Sequence, residues 1–321
     1  MSNKKWKDNL LSSSLPLEHE VLKILTKLRC ATKYDYSYQL KDNGYLKESS
    51  VDILSTKHTI EDGVNGTIEL FIECKGGDPN NKLVFLPEIN HEFSDFTLGH
   101  TIRDLQAFSK VNIDNNKLYE LESACDYGHK GIEINPNTGE VFDKDIIQGI
   151  NQLKYGLPHL LKQNILFNLH YSEEDITSSF IIPILVTNAD LYLLDDDFGI
   201  DKVKNSEKID DFGKEVPYII LLSETGPDFK EHHREVFNDF NDIDQENTNL
   251  NYLEEIQEKF KDPSMGIYES PERIFQELID SDLDTLNRYY SQYIVCSLKN
   301  FDKLVSDLIT VIGSEVKKAN Q

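Results

Sequence analysis

The stretch ELFIECKGG, Glu69 to Gly77, decides how the rest of the chain is read. Its side chains alternate as a β-strand requires: Leu70, Ile72 and Cys74 fall on one face, and Glu69, Phe71, Glu73 and Lys75 on the other. One face is apolar and the other mixed, and two glycines follow. Two readings of the charged tip are open. Either Glu73 and Lys75 form a same-face ion pair at a solvated sheet edge, worth at most about 1 kcal/mol, or they belong to a site.

Upstream, Asp52 lies inside the apolar strand SVDIL, where a carboxylate is costly unless something compensates it. If residues 51–56 and 68–75 pair as a hairpin, Asp52 approaches Glu73 and two carboxylates stand beside one lysine. Converging carboxylates bind Mg²⁺, an oxygen-seeking ion that keeps several waters and takes substrate phosphates as further ligands. Lys75 can then help deprotonate a water and stabilise charge on a phosphate in transfer.

Around this pair the periodicities alternate between strand and helix. PLEHEVLKILTKLRC has the helical period, with Pro16 suited to an opening turn. YDYSYQL, SVDILS and TIELFIECKGG, separated by the turn signals DNG and EDGVNG, predict an antiparallel meander, and KLVFLPE a fourth strand. Residues 91–145 show weak patterning, with a helix expected around TIRDLQAFSK, and are read as an insertion. DIIQGINQLKYGLPHLLKQ, 145–163, is helical, with Pro158 expected to kink or restart it. SFIIPILVTNADLYLL reads as a hairpin, EVPYIILLSE as one strand and SQYIVCS as a last strand. A closing helix, NFDKLVSDLITVIGSEV, is expected to be capped at Asn300. The fold class is α/β: a flexible N-terminus (1–14), a core (15–225) with its insertion, and a mostly helical acidic extension (226–321) packing on the core.

Composition narrows the function classes. At 321 residues with 39% hydrophobic content the chain can bury a sizeable core. No apolar run reaches the ~18 residues of a membrane span, nor does the N-terminus have a signal-peptide core, so a cytoplasmic, non-membrane protein is expected. Cys30, Cys74, Cys125 and Cys296 are scattered and fit reduced, buried residues. His19-Glu20 lacks the second histidine of HExxH, CKGGDPNNK lacks the phosphate-loop order, and DDDFGID has no closing glutamate for a calcium loop. The nine histidines, including the adjacent His232 and His233, read as ordinary surface. The formal net charge of −24 opposes a phosphate backbone, so any grip on nucleic acid must be local, near Lys23, Lys27, Arg29 and Lys33, or supplied by a partner.

The order helix with Glu18, strand with Asp52, strand with Glu73-Cys74-Lys75, and helix with Gln152 and Tyr155 resembles the PD-(D/E)XK, or restriction-endonuclease-like, nuclease superfamily. The resemblance implies a mixed central sheet flanked by helices, with an enlarged C-terminal part. It also implies Mg²⁺ (or Mn²⁺) held by Asp52, Glu73, the Cys74 carbonyl and, as an auxiliary carboxylate, Glu18. Lys75 would assist the nucleophilic water, and Gln152 and Tyr155 would stand on the substrate side. Asp52 has no preceding proline, and Gln152 comes late, after the 91–145 segment. The expected activity is hydrolysis of DNA phosphodiesters, with a place in a prokaryotic restriction or anti-phage system, and with a protein partner or self-assembly supplying positive charge. The alternative is a non-catalytic interaction module that keeps the nuclease-like fold.

Overall fold

Strand β3 (Val64–Lys75) runs through the interior of one sheet, between β2 (Tyr45–Glu61) on one side and β7 (Ser178–Thr187) on the other. The charged tip is therefore not at a solvated edge: Glu73 is only 1% exposed. The computed structural model describes residues 5–42, 44–61, 64–78, 80–88, 126–171, 178–242 and 271–318. In it, β1 (Ala31–Asp42), β2 and β3 form the expected antiparallel meander, and β3 then pairs in parallel with β7. The 11-stranded sheet continues from β7 through β11 (Gln292–Ser297), β10 (Tyr218–Leu222), β5 (Asp126–Ile134), β4 (Lys82–Pro87) and β8 (Asp190–Leu194) to β9 (Gly213–Val216). A short β6 (Val141–Phe142) pairs with β5 off this path. Parallel and antiparallel neighbours alternate irregularly, so the sheet is mixed.

Helices cover both faces, giving an α/β/α sandwich. One face packs against α2 (Ser14–Lys27) and α8 (Leu298–Lys318), through Leu17, Val21, Leu25, Phe301, Val305 and Leu308. The opposite face packs against the long α3 (Lys144–Tyr171) and, beyond it, α5 (Pro227–Phe237), α6 (Pro271–Ile279) and α7 (Leu283–Tyr290). Strict alternation along β3 sorts Leu70, Ile72 and Cys74 into the first layer and Phe71 into the second. Among the described residues no helix is long and apolar enough to cross a membrane.

Several elements depart from the expectation. Residues 178–194 are two strands but not a hairpin, because β7 pairs with β3 and β11 while β8 pairs with β4 and β9. The TNAD turn is anchored elsewhere: the Asn188 side chain accepts from the Gly77 amide at 3.1 Å and donates to the Gly77 carbonyl at 2.7 Å. EVPYIILLSE is split at Pro217 into β9 and β10, since proline cannot donate to a ladder. The helix α3 runs through Pro158 without restarting, and α8 opens at Leu298, two residues before Asn300, whose side chain donates to the Ser297 hydroxyl at 2.8 Å. Within residues 1–14, α1 (Lys5–Ser12) is helical. The helix expected near 101–110 lies outside the described residues, as does Cys125, whereas 126–134 forms the internal strand β5.

His232 and His233 are not surface residues. Both are buried on α5, where the apolar arc is wide enough to take neighbours in sequence, and the His233 ring lies 4.7 Å from that of Phe237. Burial pushes His233 down to about 3 and lowers His232 as well. The loop at Asp195 places Asp195 and Asp197 on Lys202 of the short α4 (Ile200–Asn205) as surface ion pairs.

Residues 226–321 supply β11 to the middle of the sheet and α8 to one of its faces. A chain ended at Thr225 should therefore lose cooperative folding, because β7 and β10 would each be left with an open edge and the α2 face would lose half its cover. Urea unfolding and near-ultraviolet circular dichroism of residues 1–225 check this. A sharp transition with native side-chain signal would show that the sheet closes without β11.

Candidate functional site

The ladder between β2 and β3 ends at the pair Ile53 and Ile72. One step further the same register sets Asp52 opposite Glu73, and there side chains replace the backbone bonds. The Cys74 amide donates to Asp52 Oδ2 at 2.8 Å, and the Asp52 amide donates to Glu73 Oε2 at 3.3 Å. The cause is visible in the packing: Val51 belongs to the α3 layer and Ile53, two residues on, to the α2 layer, so β2 turns over at Asp52. On the other side of β2 the β1 register skips the same position, passing from Tyr34 with Ile53 to Tyr36 with Val51. The residue skipped is Asp35, whose φ of 50° is left-handed, a conformation aspartate tolerates better than most residues.

Lys75 completes the group. Its ammonium lies 2.8 Å from Glu73 Oε1 and donates to Gln152 Oε1 at 2.8 Å. Gln152 is itself fixed: its Nε2 donates to the Ser50 carbonyl at 2.9 Å, and its own carbonyl accepts from the Tyr38 hydroxyl at 2.9 Å. One side chain on α3 thus ties the lysine of β3 to the backbone of β2 just before Asp52.

Two glycines let the covering helices approach. A Cβ on Gly76 would stand 2.5 Å from the Ser13 carbonyl oxygen, at the start of α2, and a Cβ on Gly149 of α3 would stand 2.9 Å from Lys75 Cε. The first contact brings Glu18, on the first turns of α2, close enough for its charge to act on Asp52. Glu20, two residues further on, is exposed and paired with Lys23.

The electrostatics follow from burial. Glu73 is pushed up to about 7, first by burial and then by the charge of Asp52, with Lys75 opposing. Asp52 is also raised, chiefly by burial; the Cys74 amide and Lys75 oppose this, and Glu18 and Asp35 add to it. Cys74 contributes its amide, while its thiol faces the α2 layer and burial raises it well above its ordinary range. Among the described residues no group of three or more His, Cys, Asp or Glu side chains is gathered as a metal cluster; the carboxylates of Asp52 and Glu73 rest on backbone amides and, for Glu73, on Lys75.

Of the residues singled out from the sequence, Asp52, Glu73, Lys75 and Gln152 form one connected network, and Glu18 acts on it through its charge. Tyr155 is apart from it: its ring packs edge-on against Phe229 and His232, at 5.6 and 5.1 Å. A cleft of about 1080 Å³ connects the two, lined by Tyr38, Lys47, Lys144, Gln152, Tyr155 and His232 among others. Sequence reasoning missed Asp35, Tyr38 and Ser50. Asp35 left one signal, a charged residue interrupting the tyrosines 34, 36 and 38; the Ser50 carbonyl left none.

Raised carboxyls carry a pH dependence with a definite sign. Folded Glu73 titrates near 7 against 4.5 in the unfolded chain. Between these values the folded state binds more protons, so stability falls as pH rises, and the penalty is fully present above about 7. Going from pH 6 to pH 8 should cost about 1 kcal/mol through this residue. Urea denaturation at the two pH values should show Glu73→Gln removing that part of the dependence; an unchanged slope would mean the carboxyl is not buried as described. No protein family, curated protein or solved structure matches the chain.

Proposed function

We propose that the chain is a divalent-metal-dependent phosphodiesterase acting on nucleic acid, DNA in the first place, built on a restriction-endonuclease-like core of α2, β1 to β3, α3 and β7. The observation that carries this reading is the meeting of Asp52, Glu73 and Lys75 where β2 and β3 part, with Gln152 locking the lysine. The donor set suits a hard cation: burial raises both carboxyls, the charge of Asp52 raises Glu73 further and that of Glu18 raises Asp52, an electrostatic deficit that a bound Mg²⁺ or Mn²⁺ would relieve. Asp52 and Glu73 would hold the ion, with Glu18 and the Cys74 carbonyl as the further oxygen donors, and when bound it would supply charge neutralisation and an activated water.

The chain's own residues have separate tasks. Lys75, held between Glu73 and Gln152, keeps a positive charge beside the two carboxylates, where it can orient a water and meet charge developing on a phosphate oxygen. Gln152 fixes the direction of that ammonium, so its contribution is positional. The cleft beside Gln152 is lined by Lys47, Lys144 and Tyr155, with Asp143, Asp228, Glu231 and Glu235 also on its wall.

A plasmid and single-strand cleavage assay tests this. With Mg²⁺ or Mn²⁺ the wild type should cut, chelator should stop it, and Asp52→Ala, Glu73→Ala and Lys75→Ala should each lower turnover by roughly two orders of magnitude or more while far-ultraviolet dichroism stays native. If Lys75→Ala cuts as well as the wild type, the activity lies elsewhere. If no metal supports cutting, the non-catalytic interaction module, which the net charge of −24 also suits, replaces the enzyme.

Grip on DNA by the isolated chain should be weak. Of the four basic residues expected to form a patch, Lys23 is paired with Glu20 at 2.7 Å and Lys27 with Asp302 at 2.6 Å. Fluorescence anisotropy with a labelled duplex should show weak affinity at about 50 mM salt that is lost by about 200 mM, since any binding made through phosphates falls as counterions compete. Tight binding that survives the higher salt would contradict this.

A further inference from the structure

Glu69 lies four residues before Glu73 on the same face of β3, about 13 Å away at ~3.3 Å per residue. It is 8% exposed, yet it plays no part in the network around Lys75. Asn164, on the C-terminal half of α3, donates to its Oε2 at 2.6 Å. Burial pushes the carboxyl up to about 7, and that amide is the group opposing the shift; among the described residues Glu69 has no ion-pair partner. A buried carboxylate without a cation is costly, and the cost falls when one is brought to it.

The surroundings indicate what kind of cation. Glu69 lines a cleft of about 510 Å³, together with Thr56, His58, Thr67, Asn164, Phe167 and Ser179. The Thr67 and Ser179 hydroxyls are hydrogen-bonded to each other at 2.9 Å, across the β3 and β7 pair, which leaves lone pairs for further donors. The Phe167 ring is 53% exposed and offers an apolar or cation-binding surface. A single carboxylate among hydroxyls and amides provides one negative charge and several acceptors. That matches a monovalent head with several N–H donors better than a divalent ion, which calls for more carboxylates. The cleft size is that of a small-molecule site.

We propose that this cleft is a binding site for a small organic cation bearing a guanidinium or primary amine group, seated on Glu69 with its aliphatic part against Phe167. The site is distinct from the Asp52, Glu73 and Lys75 network and does not depend on what that network does.

Isothermal titration of the full chain with n-butylguanidinium chloride, and with the neutral isostere n-butylurea, tests it. The guanidinium should bind saturably at one site and the urea should not. Glu69→Gln, which keeps an acceptor for Asn164, should weaken binding at least tenfold. Glu140→Gln, an exposed change of equal charge, should leave it unchanged and so separates the site from general attraction to an acidic protein. Phe167→Ala, at an exposed position, should weaken binding about threefold and serves if Glu69→Gln does not fold. No saturable binding to the wild type, equal binding of the urea, or affinity untouched by both cleft substitutions would overturn the proposal.

Discussion

Past the Ile53 and Ile72 pair, the amides of Asp52 and Cys74 face across the gap between β2 and β3 with no ladder bond to join. A buried amide left unpaired costs about as much as a lost hydrogen bond. The two carboxylates meet that need reciprocally, Asp52 on the Cys74 amide and Glu73 on the Asp52 amide. The rest of the site depends on this exchange. It draws two negative charges into a nearly dry place, which obliges a cation to stand beside them, and Lys75 fills that role only because Gln152 fixes its other side. Removing either carboxylate therefore disturbs a strand junction as well as an electrostatic balance.

The same junction explains why the helices sit as close as they do. The Gly76 backbone lies against Ser13, and Gly149 lies against the Lys75 stem. The helices α2 and α3 therefore approach β3 from opposite faces at its C-terminal end. Between them Phe71 and Tyr36 meet edge to face at 5.3 Å and fill the space toward the middle of α3. The polar junction is thus braced by apolar contacts that are largely local to β1, β2, β3 and α3.

That locality is also why this part of the chain was legible. The meander, both helices and the Asp52, Glu73 and Lys75 grouping follow from period, turn signals and one strand pairing of neighbours in sequence. Partnership between distant strands left no such trace. The residues of β7 and β8 are separated by two positions, which favours a hairpin, yet Asn188 binds Gly77 and sends the strands to different neighbours. Pro217 divides a run that reads as one strand, and β5, from a weakly patterned segment, enters the middle of the sheet beside β10. Buried His233 misled for a different reason: polarity suggests surface, whereas a neutral ring packed on Phe237 and bonded to the Tyr290 hydroxyl is an acceptable core residue.

Strand β3 carries two buried glutamates on one face, four residues apart, with Phe71 between them. A sheet selected for stability alone would fill both positions with apolar residues, since each carboxyl is raised to about 7 and each therefore weakens the fold at neutral pH. Neither cost is relieved in the same way. Glu73 has a lysine, a second carboxylate and a backbone amide around it, the surroundings of a group that handles charge, whereas Glu69 has one amide and an open polar cleft, the surroundings of a group that waits for it. The contrast between two identical side chains on one strand face is best understood as two different demands placed on the same scaffold, because the desolvation they share cannot account for the partners they do not.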